Sequence, residues 1–187
     1  MKRAFLFLLG FFLLSWSGAS AVFSQTVTPE AAHVLTEAEA KAAFVLNFAR
    51  FTQWPEGKLP QDNKPIRIGV TGESPVADEL ERLSKGFLIQ GHPVEVVILE
   101  GPSDTTKCQV IFMVDVDHSL FSRYSETKAD QAVLIVGDRL EMAEWGASVV
   151  FQPTKARLHF VVNRKAAGAR QLTFSSQLLK LAAKILD

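Results

Sequence analysis

Cys108-Gln109-Val110-Ile111-Phe112-Met113-Val114-Asp115-Val116-Asp117-His118-Ser119 decides the fold. An unbroken apolar run, Val110 to Val114, meets a short acidic turn, and a helix-forming segment follows from Ser119 to about Glu126. A strand with no polar alternation is buried on both faces, which is the habit of parallel strands covered by helices. The same grammar recurs on either side. Ile66 to Thr71 is a short apolar strand, and Ser74-Pro75 then supplies a cap and a first-turn proline for a helix reaching about Leu83 and stopping at Gly86. Val94 to Leu99 is β-branched and is broken by Gly101-Pro102, and Val133 to Val136 is a fourth strand. Strands interleaved with helices predict a parallel sheet with helices on both faces.

Both flanks change character. Upstream, Thr36-Glu37-Ala38-Glu39 is a capping box opening a helix. Phe44, Phe48 and Phe51 follow on one face of it, and Trp54-Pro55 is expected to end it, because the residue before proline is driven out of the α region. A polar linker runs from Glu56 to Lys64. Downstream, Ser148 to Phe151 and Arg157 to Val162 flank a turn at Gln152-Pro153-Thr154-Lys155, the pattern of an antiparallel hairpin. Ser175 to Leu186 reads as a closing amphipathic helix with Leu178, Leu179, Ala182, Ala183 and Leu186 on one side. The expected fold is a single α/β domain: a mixed, mostly parallel sheet, helices on both faces, and a C-terminal hairpin plus helix.

The first residues read as an export signal. Lys2 and Arg3 precede an uncharged apolar run, Ala4 to Leu14, and Ala19-Ser20-Ala21 offers small residues where a signal peptidase cuts. The run is too short for a membrane-spanning helix, which needs about 20 apolar residues. Cleavage after Ala21 would leave 166 of the 187 residues, one domain's worth, with 18 basic against 20 acidic side chains. The division expected is a signal peptide over residues 1–21, a loose mature N-terminus over 22–35, and the domain over 36–187. Dispersed Lys and Arg give no stripe for nucleic acid, and no later segment is long and apolar enough to insert in a membrane.

Three segments together resemble a known family. They are Lys41 to Pro55, with its Phe/Asn/Phe spacing and terminal Trp-Pro; Cys108 to Phe112; and Arg157 to Asn163 followed by Leu172 to Ala182. The chain is similar to the YfiR family of periplasmic proteins over about Ala38 to Leu186. The resemblance implies a role without catalysis or cofactor: repression of a membrane-bound diguanylate cyclase through its periplasmic sensor domain, lowering cyclic-di-GMP output and biofilm formation. Other relatives sit beside sensor kinases or outer-membrane receptors. Two departures stand out. Several relatives carry cysteines that form disulfides, whereas Cys108 is the only cysteine in this chain. The family's last strand often carries an acid between the positions of Phe160 and Asn163, where this chain has Val161-Val162.

Candidate sites divide between surfaces and crevices. Trp54 and Pro55 are the expected exposed end of the aromatic stripe, since tryptophan is rarely fully buried and is enriched at binding hot spots. Asn47 amid apolar positions reads as a tie to a neighbouring loop or as a partner contact. Asn163 reads most simply as a cap or turn residue. These four form the expected partner-binding set, the partner being the extracytoplasmic domain of an inner-membrane sensor or diguanylate cyclase, or a second copy of the chain. The alternative is a small-molecule site at the carboxyl edge of the sheet, where open α/β folds place ligands. Asp115, Asp117 and His118 form the cluster there, with Glu73 and Asp138 on neighbouring loops; capping of the next helix is the simpler role for Asp117 or His118. The histidines show no metal-ligand spacing, and nucleophile-elbow and phosphate-loop motifs are missing from the sequence. Cys108 is expected to be a buried structural thiol.

Overall fold

The computed structural model describes residues 35–61, 64–126, 131–154 and 158–187. The expected signal peptide, cleavage point and nearly all of the loose N-terminus lie outside these residues.

In chain order the elements are α1 (Glu37–Phe51), β1 (Thr52–Gln53), β2 (Ile66–Thr71), α2 (Pro75–Ser84), β3 (Leu88–Ile89), β4 (His92–Leu99), a 3-10 turn (Pro102–Lys107), β5 (Val110–Met113) and α3 (His118–Glu126). Then come β6 (Leu134–Gly137), α4 (Met142–Trp145), β7 (Val149–Pro153), β8 (Leu158–Asn163), α5 (Arg164–Ala169), β9 (Thr173–Phe174), α6 (Ser176–Leu181) and β10 (Lys184–Leu186). The main sheet has the order β10-β8-β7-β6-β5-β2-β4-β3. Strands β4, β2, β5, β6 and β7 are parallel neighbours; β8 turns back antiparallel on β7, and β3 antiparallel on β4. The mixed, mostly parallel sheet read from the sequence is the sheet observed.

Its strands are buried on both faces, as their unalternating composition requires. Val110 and Phe112 of β5, Val149 and Phe151 of β7, and Phe160 and Val162 of β8 join the core beneath α1 and α2. Ile111 and Met113, Val150, and Val161 point the other way, into a second core with Phe121 and Tyr124 of α3 and Met142 of α4. Each fully buried side chain of this size contributes about 1.5–3 kcal/mol of transfer free energy. Gly69 of β2 faces the second core, where a Cβ would come within 2.8 Å of Leu99 Cδ1 and 3.0 Å of Cys108 Sγ. That close approach accounts for a glycine in the middle of a strand.

The capping box forms as expected: Glu39 N–H donates to Thr36 Oγ1 at 3.2 Å, and Thr36 N–H donates to Glu39 Oε2 at 2.8 Å. The end of α1 differs from expectation. It closes at Phe51, before Trp54-Pro55, because Thr52 and Gln53 leave the helix to pair with Phe174 and Thr173 of β9. The Thr52 hydroxyl covers the loose end by donating to the Phe48 carbonyl at 2.7 Å.

The C-terminal helix is shorter than its periodicity predicts. It ends at Leu181, and Lys184, Ile185 and Leu186 form β10, parallel to Val161, Val162 and Asn163 of β8. Without β10 the outer side of β8 would be an open edge, and from the strand added there Leu186 packs on the second core. A short apolar run fits helix and strand alike, and the open edge decides. The hairpin β7–β8 is present; its tip, residues 155–157, lies outside the described residues.

Candidate functional site

The carboxyl edge of the sheet carries Asp115, Asp117 and His118, the cluster expected from the sequence. The chain order reverses between β2 and β5: β4 lies on one side of β2, while β5, β6 and β7 follow on the other. This is the switch point at which doubly wound sheets open a ligand crevice. Here Thr71 at the end of β2 bridges it, accepting from Val114 N–H at 2.8 Å and donating to the Val114 carbonyl at 3.2 Å. Asp138, after β6, accepts from Asp115 N–H at 3.2 Å. Asp115 sits in the left-handed region at φ 49°, which turns that N–H toward Asp138. Asp117 caps α3 by accepting from Leu120 N–H at 2.7 Å, and the His118 ring meets Trp145 edge to face with centroids 5.2 Å apart. The proposed trio is therefore divided among a turn, a cap and an aromatic contact, and no group of metal-ligating side chains occurs among the described residues.

Asp138 is the perturbed group of this edge. Burial pushes its carboxyl above the ordinary carboxylate range, while the Asp115 N–H and the positive charges of Lys41 and Arg139 pull it back. Arg139 Nε stands 3.8 Å from Oδ1, an ion-pair distance too long for a hydrogen bond. The guanidinium instead donates to the Val116 carbonyl and lies 5.9 Å from the centre of the Trp145 ring.

The amino edge gathers the other candidates. At this edge α1 ends, β2, β5 and β6 begin, and the antiparallel β8 finishes. Trp54 and Pro55 are both half-buried, and Trp54 packs on the larger core. Its indole Nε1 is buried with no hydrogen-bond partner among the described residues. Lys58 N–H closes a turn onto the Pro55 carbonyl at 3.1 Å, with Gly57 at φ 72°, the position that a type II turn reserves for glycine. Asn163 reaches the same edge and acts as the cap expected of it: Oδ1 accepts from Ala166 N–H at 2.9 Å, and Nδ2 donates to the Ala143 carbonyl at 3.0 Å. Asn47 lies further back on α1. Among the described residues it makes no tie to a loop; its Nδ2 donates to the Ala43 carbonyl of its own helix at 2.9 Å. The structure thus brings Trp54, Pro55 and Asn163 to one edge and leaves Asn47 on the helix behind it.

Between the Pro55 turn and the strand starts runs a groove of about 460 Å³. Lys58, Lys64, Arg67 and Lys107 line it, a convergence that reading along the chain missed. One signal was available: Lys64 and Arg67 flank the start of β2 and Lys107 lies just before β5, so a parallel pairing of those strands puts all three on one edge. A smaller hollow of about 240 Å³ shares Lys58 and Gln109 and reaches Cys108, which is 3 % exposed. Cys108 Sγ lies 4.0 Å from the Asp104 carbonyl, and the thiol belongs to the second core as a structural residue. A third hollow, about 490 Å³, lies among α5, β9 and α6, where Arg164 pairs with Asp187 at 2.9 Å.

One solved structure shares this fold at low sequence identity, and a second is reported beside it. The ABC domain from Streptococcus pneumonia, in complex with L-Trp, superimposes with a TM-score of 0.54 at 13% identity over 78% of this chain and 60% of that one. A conserved domain protein from Vibrio cholerae gives a TM-score of 0.48 at 13% identity over 81% of this chain and 60% of that one. The chain spans 60% of either protein, and the first likeness speaks for the fold alone. No curated protein matches the sequence. No helix among the described residues is long and apolar enough to cross a membrane. Residues 38–183, by contrast, match the family described as YfiR/HmsC-like, a family of periplasmic and regulatory character, and the chain belongs to it.

Proposed function

We propose that the protein is a periplasmic regulatory subunit that docks on the extracytoplasmic domain of an inner-membrane signalling protein. A diguanylate cyclase is the partner class that family membership favours, with cyclic-di-GMP output and surface attachment as the controlled quantities. The observation that carries this reading is the use of the carboxyl-edge acids: Asp117 caps a helix and Asp138 holds the Asp115 turn, so the groups best suited to chemistry serve the scaffold. The docking face is the amino edge around Trp54 and Pro55, whose backbone is fixed by the β1–β9 pair and by the Pro55 turn. Asn163 frames that face through α5, and Asn47 supports it from within α1.

Regulation of this kind requires unequal affinity for two states of the partner, because equal affinity shifts no equilibrium. The test is capture of the membrane partner by the exported protein, combined with a cellular measurement of cyclic-di-GMP. Capture together with altered cyclic-di-GMP supports the proposal; a retained small ligand with no membrane partner would replace it with the ligand-binding alternative.

A further inference from the structure

The amino-edge groove carries charge for which the docking reading has no use so far. Lys58, Lys64 and Lys107 line it, and their ammonium groups have no ion-pair partner among the described residues. Arg67 also faces it, but Glu95 grips that guanidinium with Oε2 at 2.7 Å from Nε and Oε1 at 3.2 Å from Nη2. No carboxylate is among the described residues of the lining, so among those residues three positive charges stand uncompensated. Gln109 turns its Oε1 to the Arg67 N–H at 2.9 Å, which directs its amide toward the strand start and leaves the Nε2 hydrogens as further donors. Leu59, Pro60 and Pro65 supply apolar wall between the charges.

The kind of anion follows from the kind of donor. A site for one phosphate or sulfate converges its donors on a single point, commonly backbone N–H groups at a helix N-terminus or an arginine fork, with lysine adding a point charge. The arginine of this groove is committed to Glu95, and the remaining charges are point charges on flexible four-carbon stems. Separated ammonium groups on flexible stems, set between apolar wall residues, suit carboxylates spaced along an extended chain. We infer that this groove receives an acidic, extended peptide segment of the membrane partner, its carboxylates met by Lys58, Lys64 and Lys107 and its apolar side chains by the proline–leucine wall. The owner of the peptide rests on the proposed docking function; the groove's preference for the peptide does not.

The experiment measures anisotropy of a labelled oligoglutamate of about ten residues, which reaches about 33–36 Å when extended, with protein purified after export. The variant Lys58→Gln/Lys64→Gln/Lys107→Gln is compared with Lys85→Gln/Lys180→Gln/Lys184→Gln, which removes the same charge from exposed positions elsewhere. The expected result is about a tenfold or greater loss of affinity in the groove variant, less than about a twofold loss in the control, and binding that weakens with salt. Equal loss in both variants, or no binding by the wild type, would overturn the inference. Displacement of the peptide by inorganic phosphate at matched charge concentration would overturn it too, in favour of a single-oxyanion site. Capture of the membrane partner by the same variants separates the two readings. Undiminished capture by the groove variant removes the groove from docking and leaves docking standing. Absence of capture by the wild type removes docking, and the peptide assay still decides the groove.

Discussion

The hydroxyl of Thr71 engages both backbone groups of Val114, accepting its N–H at 2.8 Å and donating to its carbonyl at 3.2 Å. One side chain thereby closes the gap between β2 and β5 at the point where the sheet reverses its order. Thr71→Val keeps the shape and deletes both bonds, leaving a backbone donor and acceptor unsatisfied at a site where Thr71 itself is 8 % exposed. The expected cost is about 1–3 kcal/mol by denaturant titration, with Thr71→Ser retaining most of the stability.

Asp138 gives the domain a pH dependence of unusual direction for a carboxylate. Its folded-state pKa is raised, chiefly by burial, so between the ordinary carboxylate range and that raised value the native state binds the extra proton. Stability then increases as pH falls through this window and is lost as pH rises through the folded pKa. Asp138→Asn keeps an oxygen to accept the Asp115 N–H and removes the buried charge. The variant is expected to be more stable than wild type at neutral pH, with the difference fading toward pH 4 in matched melts.

Phe48 is the hinge of the aromatic core. It is fully buried, with ring centroids 5.7 Å from Phe44, 5.6 Å from Phe151 and 4.8 Å from Phe160. Phe48→Ala should cost about 3–5 kcal/mol. Phe44→Ala, at a half-buried position that touches the same rings, should cost less in the same measurement.

Trp54→Ala tests the proposed docking face directly. The side chain is half-buried, so some stability goes with it, but the fold should survive while partner association weakens by more than about 1 kcal/mol. Unfolding as severe as that of Phe48→Ala would reassign Trp54 to packing.

Cys108 should react with a thiol reagent slowly in the native protein and promptly after denaturation, at one equivalent per chain, since it is 3 % exposed. Rapid native modification accompanied by lost partner capture would give the thiol a functional role.

The parallel strands, both caps of the first two long helices and the hairpin were legible because each depends on neighbours in sequence: Thr36 on Glu39, Ser74 on Ala77, Val149 on Val162 across a short turn. What escaped depends on partners far away. Thr52 and Gln53 look like the last turn of a helix until Thr173 and Phe174 arrive. Lys184 to Leu186 continue a helical stripe until the open side of β8 claims them. The site followed the same division. Asn163 announced itself as a cap, whereas Lys58, Lys64 and Lys107 look dispersed until parallel pairing aligns the strand starts. Asn47 bonded to the nearest carbonyl on its own helix, a choice that spacing alone does not distinguish from a reach outward.

The β1–β9 pair also bears on when the protein becomes able to act. Thr173 donates to Gln53 at 2.8 Å across a sequence separation of 120 residues, so this clasp closes one of the longest loops in the chain. Loop-closure entropy makes such contacts late events in folding, after the local strand–helix units have formed. Because the clasp fixes the backbone that carries Trp54 and Pro55, the proposed docking face takes shape only when the two ends of the domain have met. A chain stalled halfway through folding would present no such face, and a partner that recognises it would engage finished molecules alone.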